Sequence, residues 1–294
     1  MNLQKVESFV KKTFSFTKCT ELLGESVGEY WLRYFSARRF PREQDFYVVY
    51  TSLDHDIPFQ PDSARDYWLV NHWFIPTSIK LGEMTSGETF RNIRHAYVEI
   101  AKEGCTAFRE VPTIMPRFTG RSRRALRLAQ TLLKPINCAP SLHTAVPFFT
   151  YNLGARYFPE KEPELRQRVG DIVSTIIKTK LHALIDIAFG MFLAQRVIRD
   201  RLELNFYDLE AFFTQEQKGK DRIPYESIYR MYHEINELGK TKEGGGSKLP
   251  GIMESYFKEI GLPRVRREQS DCLYDLELKA LVYSPKLKVG KGLF

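Results

Sequence analysis

Two segments decide how this chain reads: residues 134–149, KPINCAPSLHTAVPFF, and residues 174–190, STIIKTKLHALIDIAFG. Each carries one histidine in informative company. In the first, Pro140-Ser141-Leu142-His143 stands where a loop enters a helix. Ser141 is a natural N-cap, and the unpaired N–H groups of a first helical turn attract an anion. A histidine at that place can donate a proton to a leaving oxygen. In the second, His182 and Asp186 are four apart and share a face if the segment is helical. A carboxylate so placed accepts a hydrogen bond from one imidazole nitrogen and fixes the tautomer, leaving the other nitrogen as a nucleophile. Lys178 and Lys180, just ahead of that histidine, bring positive charge for phosphate oxygens. Each segment alone reads equally well as ordinary structure, a capped helix or a structural hydrogen bond. Together they predict a phosphate-binding pocket with two histidines in different roles.

Outward from these segments the pattern is mainly helical. Helices are predicted over 125–133, ending at Pro135, and over 144–158, with a charged loop at 159–163. Residues 164–203 read as one long helical pattern, with Gly170 or Gly190 as the place for a kink. Residues 87–104 read as a surface helix, because Ile93, Tyr97, Ile100 and Ala101 fall on one face. Residues 3–40 predict two short amphipathic helices with Tyr30, Trp31, Tyr34 and Phe35 as a core stripe. The aromatic and β-branched run 46–50 is a strand or a buried connection. Pro58, Pro61 and Pro76 indicate a long ordered loop with interleaved helical turns. Within it Asp54-His55-Asp56 reads as a solvated turn, since no further ligands stand at metal-binding spacing. The run 240–248, KTKEGGGSK, predicts a flexible loop. A helix at 253–260 and a basic, extended tail over 280–294 follow. With no internal repeat and no domain boundary, the expectation is a single mainly helical domain over 1–294.

Bulk properties narrow the class. Apolar content of 43% and charged content of 27% are those of a globular protein with a proper core. A net charge of +8 favours phosphate-bearing ligands, nucleic acid or anionic membrane surfaces without choosing among them. The first residues, MNLQKVESFVKKTFSF, predict no secretory signal. The most apolar window, 181–198, is interrupted by His182, Asp186, Gln195 and Arg196, which argues against a membrane span. Four scattered cysteines, Cys19, Cys105, Cys138 and Cys272, lack any CxxC spacing. They argue against a zinc site or a disulfide scaffold and suit a reducing cytoplasm. A basic cluster, Arg117, Arg121, Arg123, Arg124 and Arg127, precedes the first histidine segment. Such clusters are usually solvated, but this position could turn one or two arginines inwards.

Taken together, the two histidine segments resemble the type 2 phosphatidic acid phosphatase superfamily, which also holds the vanadium-dependent haloperoxidases. That family's pattern is Lys-x6-Arg-Pro, then Pro-Ser-Gly-His, then Ser-Arg-x5-His-x3-Asp. The second block stands here as Pro140-Ser141-Leu142-His143, with leucine as in the inositolphosphotransferase-like branch. The third stands as Thr175-Ile176-x5-His182-x3-Asp186, and Lys180-x-His182 is similar to the same branch. Ile176 replaces the arginine of the common third block, removing one phosphate ligand for which Lys180 or Lys178 could compensate. For the first block, Arg127-x6-Lys134-Pro135 has the spacing with the two basic types exchanged, and Arg117 is the rival.

The resemblance implies an all-α helical bundle of the phosphatase/haloperoxidase type with long loops. It also implies that His182 attacks phosphorus to form a phosphohistidine while Asp186 holds its orientation. His143 would protonate the leaving oxygen and then activate water. Ser141, Lys180, Lys134, Lys178, Arg127 or Arg117 would neutralise the transferring group. No metal or other cofactor is needed, and no acidic cluster suited to magnesium is present in the sequence. The expected substrate is a hydrophobic isoprenyl or lipid phosphate or diphosphate, because Phe148, Phe149, Tyr151, Phe189 and Phe192 flank the motifs, although the same rings read more readily as core than as pocket. Alternatives on the same pocket are a terpene cyclase or prenyltransferase that ionises an isoprenyl diphosphate, and a haloperoxidase that holds vanadate. The remaining reading is a non-catalytic basic helical protein that binds nucleic acid or makes peripheral contact with an anionic membrane. No nucleic-acid-binding module is recognisable.

Overall fold

A computed structural model describes residues 45–64, 77–78, 80–82, 85, 87–118, 137–206, 213, 223–243, 248–266, 273–275 and 280–282, together with the single positions 17, 24, 28, 32 and 33. The chain is mainly helical. Among the described residues the elements are β1 (Asp45–Val48), α1 (Ser52–His55), α2 (Gly87–Glu110), β2 (Thr113–Ile114), β3 (Arg117–Phe118), α3 (Leu142–Tyr157), α4 (Glu162–Lys178), α5 (Leu184–Leu202), α6 (Tyr225–Glu243), α7 (Leu249–Glu259), β4 (Arg264–Arg266), β5 (Leu273–Asp275) and β6 (Ala280–Val282). Single 3-10 turns stand at Pro61–Ser63 and Pro159–Lys161.

The sequence explains which helix is central. Every residue from Leu184 to Ala194 is buried, so α5 is apolar all round and belongs inside. The helices α2, α3 and α6 pack on it. No helix among the described residues is long and apolar enough to cross a membrane, so the apolar window around α5 is a core helix. By contrast, α2 is amphipathic: Phe90, Ile93, Tyr97, Ile100, Gly104 and Phe108 form its buried stripe. It runs six residues beyond the predicted end. Tyr97 ties it to α3, because its hydroxyl stands 2.7 Å from both the Ser78 and Thr150 hydroxyls.

Two small three-stranded sheets qualify the all-α expectation. One has the order β2-β1-β4, with β1 parallel to β2 and antiparallel to β4. The other has the order β3-β5-β6, with β3 parallel to β5 and β5 antiparallel to β6. The run 46–50 supplies β1, as its composition suggested. The strands β2 to β6 have two or three residues each, too short for a period-2 pattern to be read.

The largest correction concerns 164–203, which is two helices. Helix α4 ends at Lys178, and Lys180 takes a left-handed conformation with φ of 52°. The Leu181 N–H reaches the Ile176 carbonyl at 3.0 Å and the Lys180 N–H reaches the Ile177 carbonyl at 3.0 Å. These two bonds make a Schellman ending, whose usual marker is glycine at the left-handed position. Lysine stands there instead, so the break is invisible in the sequence. Neither Gly170 nor Gly190 interrupts a helix. Further along, α6 continues to Glu243 and Lys248 is the N-cap of α7, which shortens the predicted 240–248 loop from both sides. In the predicted basic tail, residues 280–282 form β6. Apart from the single positions 17, 24, 28, 32 and 33, the helices expected over 3–40 lie outside the described residues, as does the one expected over 125–133.

Candidate active site

His143 stands in the first turn of α3, one residue into the helix. The loop before it is fixed from two directions. The Thr113 hydroxyl oxygen on β2 accepts the Cys138 and Ala139 N–H groups, each at 2.9 Å. The Ser141 N–H donates to the Asp186 carbonyl at 2.9 Å. Ser141 is the N-cap residue, as predicted, but its side chain makes no capping bond. Its hydroxyl oxygen instead accepts from the Thr144 hydroxyl at 3.0 Å, and its carbonyl accepts the Thr144 and Ala145 N–H groups. Pro147 has no N–H to return to the His143 carbonyl, so this first turn depends on those Ser141 contacts.

His182 lies in the turn between α4 and α5, so it does not share a helical face with Asp186. The two meet for another reason. Asp186 is the third residue of α5 and folds back over the helix start, where its Oδ2 accepts the Ala183 N–H at 2.9 Å. That is half of a capping box. The same oxygen stands 3.3 Å from His182 Nδ1. The far side of the His182 ring, Nε2, is 3.2 Å from His143 Nδ1. Asp186, His182 and His143 therefore form a continuous line of polar contacts. The two histidines, 39 residues apart in sequence, are brought together as expected.

Burial sets the electrostatics. Asp186 is fully buried, and its carboxyl is raised well above the usual carboxylate range by loss of solvent, with the Ala183 N–H opposing. His182 is pushed down to about 4 by burial, against a contribution from the Cys138 backbone carbonyl. His143 is pushed down to about 3, first by burial and then by the neighbouring His182. Burial disfavours charge on both sides of the Asp186–His182 contact. Asp186 Oδ1 is buried without a hydrogen-bond partner.

The basic residues divide sharply. Lys180 is 6% exposed, and its Nζ donates to the Asp54 carbonyl while standing over the Tyr50 and Phe118 rings. Burial lowers it to about 8, with Asp54 and Asp56 opposing. Lys178 is in the last turn of α4, and its carbonyl accepts the Gln60 N–H at 2.8 Å. Arg117 is in β3, paired with Leu273. Arg127 and Lys134 lie outside the described residues. Phe148, Phe149, Tyr151, Phe189 and Phe192 are all core residues, no more than 1% exposed.

Asp54 is the residue that sequence reasoning misplaced. It is 1% exposed rather than solvated. Its Oδ2 accepts the Thr51 N–H at 2.9 Å and the Thr51 hydroxyl at 2.8 Å, and its Oδ1 accepts the Leu184 N–H at 2.8 Å. The available signal was the Thr51-x-x-Asp54 spacing, a capping-box pattern. Thr113 gave no such signal, because only the fold brings β2 beside residue 138. Among the described residues no group of three or more His, Cys, Asp or Glu side chains is arranged to hold a metal. No family model, curated protein or solved structure matches this chain.

Proposed function

We propose that the Asp186–His182–His143 line is the catalytic centre of a phosphatase or phosphotransferase acting on a phosphoric ester or diphosphate. The observation that carries this reading is the hydrogen-bonded order itself: carboxyl on Nδ1 of one imidazole, second imidazole on its Nε2. Nucleophile, orienting group and acid–base partner follow one another within contact distance, as phosphoryl transfer through histidine requires.

The chemistry balances as follows. His182 Nε2 attacks phosphorus while Asp186 accepts from its Nδ1–H. The P–O bond to the leaving group breaks, and the leaving oxygen takes a proton from His143. His143 enters this step as the imidazolium, once the negative charge of the bound phosphate offsets the burial that keeps it neutral in the free state. Water, deprotonated by His143, then attacks the phosphohistidine, the P–N bond breaks, and His182 recovers its lone pair. At 3.2 Å the two imidazoles are too close to hold phosphorus between them. Reacting atoms approach to about 3–3.5 Å on each side. Substrate entry must therefore part the rings, and the free state is a closed form of the site. Lys180 would have to leave the Asp54 carbonyl to reach a phosphate oxygen.

This reading carries with it the helical bundle of the phosphatidic acid phosphatase and haloperoxidase superfamily as the fold, and a reducing, cytoplasmic setting for the buried free thiols Cys105 and Cys138. The hydrophobic part of the substrate rests on the sequence resemblance, since the five motif-flanking rings are packed in the core. The test is release of inorganic phosphate from isoprenyl and lipid phosphates and diphosphates, with trapping of an acid-labile phosphoenzyme. Turnover lost in His182→Ala supports the proposal. No turnover with any substrate, or full activity in His182→Ala, defeats it. A hydrocarbon product with free diphosphate reassigns the pocket to isoprenyl ionisation.

A further inference from the structure

The turn that carries His182 is short, and one residue from a distant part of the chain holds both of its ends. At the entry, Lys180 donates through Nζ to the Asp54 backbone carbonyl. At the exit, the Leu184 N–H donates to Asp54 Oδ1. Leu184 is the first residue of α5, so this bond satisfies an N–H that the helix itself cannot. The other carboxylate oxygen, Oδ2, is anchored to Thr51 by two hydrogen bonds, which prevents the side chain from rotating away. A third tie, Gln60 N–H to the Lys178 carbonyl, seats the same segment on the end of α4.

We infer that Asp54 is a positioning residue for His182, fixing the turn 180–184 so that the imidazole stands in line between Asp186 and His143. The catalytic consequence rests on the proposed phosphoryl transfer, whereas the geometric one does not. Asp54 touches neither imidazole in any hydrogen bond described above. It acts on them through the backbone at 184 and the side chain at 180. A purely stabilising role would loosen the whole core evenly; a positioning role loosens the helix start and changes the histidine rings first.

The experiment uses the full chain, labelled for NMR, and follows the imidazole nitrogens of His182 and His143 with pH, beside amide exchange at Leu184 and Val197. In Asp54→Ala, Leu184 should exchange roughly 10- to 100-fold faster, the worth of a hydrogen bond to a charged acceptor, with Val197 little changed. The His182 titration should move up towards 6.5. Asp54→Asn keeps an acceptor for the Leu184 N–H but sets its amide nitrogen against the Thr51 N–H, so it should restore both readouts in part. Should Asp54→Ala not fold, Leu184→Pro removes the same donor. Proline suits the first helical position, and Ala183 is already extended with ψ of 164°. Leu184→Ala controls for the lost side chain. Under the proposed activity, Asp54→Ala lowers kcat with KM unchanged.

An unchanged His182 titration in Asp54→Ala or Leu184→Pro overturns the inference, as does equal acceleration of Leu184 and Val197. A moved titration in a chain without phosphatase turnover supports the positioning role and defeats only the proposed activity.

Discussion

Gly190 lies directly under the Ser141 carbonyl. A Cβ at position 190 would stand 2.6 Å from that oxygen, 2.9 Å from the Thr144 Cβ and 3.3 Å from the Ala145 nitrogen. Real Cβ atoms do not approach backbone so closely. Helix α5 therefore reaches the first turn of α3 only because residue 190 has no side chain. His143 stands on that first turn, and His182 stands just before α5. The distance between the two imidazoles is set by this crossing.

Gly190→Ala should accordingly force the two helices apart. Overpacking of this kind costs about 1–3 kcal/mol. Urea unfolding gives the stability loss, and through-hydrogen-bond coupling or exchange of the imidazole protons reports the His182–His143 contact. Retention of that contact at wild-type stability would mean that the crossing can shift without cost.

Asp186→Asn and Asp186→Ala should together isolate the acceptor on His182 Nδ1. In Asp186→Asn the amide oxygen can still accept the Ala183 N–H, so unfolding should change by no more than about 1 kcal/mol, the typical worth of one cap. The same oxygen faces His182 Nδ1, so the amide oxygen also keeps the proton on that ring nitrogen, and the amide nitrogen takes the place of the unpartnered Oδ1. Phosphate release should be largely kept, whereas Asp186→Ala, which removes the acceptor from Nδ1, should lower it by about 10,000-fold, as loss of the correct tautomer does in a serine-protease triad. Nitrogen chemical shifts of the His182 ring check the tautomer directly.

Acidification supplies a third check. His143 and His182 have folded pKa values near 3 and 4, below the 6.5 of the unfolded chain. As pH falls below 6.5 the unfolded chain takes up protons that the folded chain does not, so these groups lower stability. Asp54, raised from 3.8 to about 6, and Asp186, also raised, act in the opposite sense. The folded chain holds their protons where the unfolded chain has lost them. Between about pH 4 and 6 two histidines oppose two aspartates, and the site contributes little net slope. His143→Asn removes one histidine from this balance. Its stability relative to wild type should rise from pH 7 to pH 4 by up to about 1.4 kcal/mol per pH unit. Urea unfolding across that range measures it, and a flat difference contradicts a depressed His143.

Position 180 tests the break between α4 and α5. Its φ of 52° is the left-handed conformation that glycine adopts without penalty and alanine does not. Both Lys180→Gly and Lys180→Ala lose the bond to the Asp54 carbonyl. Lys180→Gly should nevertheless be the more stable of the two by about 1 kcal/mol. Thermal unfolding of the pair distinguishes this from a continuous helix, in which glycine would be the worse.

Much of the candidate site was legible before any coordinates. The Pro140-Ser141-Leu142-His143 and His182-x-x-x-Asp186 patterns named the three residues that the fold brings into line. The reason inferred for the second pattern was wrong, because Asp186 reaches His182 across a helix start rather than along a helix face. The five flanking aromatic rings follow the core reading rather than the pocket one: neighbours of the motifs in sequence, they are packed in the core. Burial is a property of facing elements, and no spacing along one element reveals it.

From its own order of residues the chain determines its helices, the apolar character of α5 that makes it central, and the two histidines that belong together. These follow from local periodicity and residue chemistry, which act over a few residues. Only the tertiary structure decides that Lys180 ends a helix, that Asp54 is buried beneath the His182 turn, and that the rings touch with no gap between them. Each of those depends on a partner more than 35 residues away, or on a hydrogen bond that rewards a conformation the residue itself disfavours.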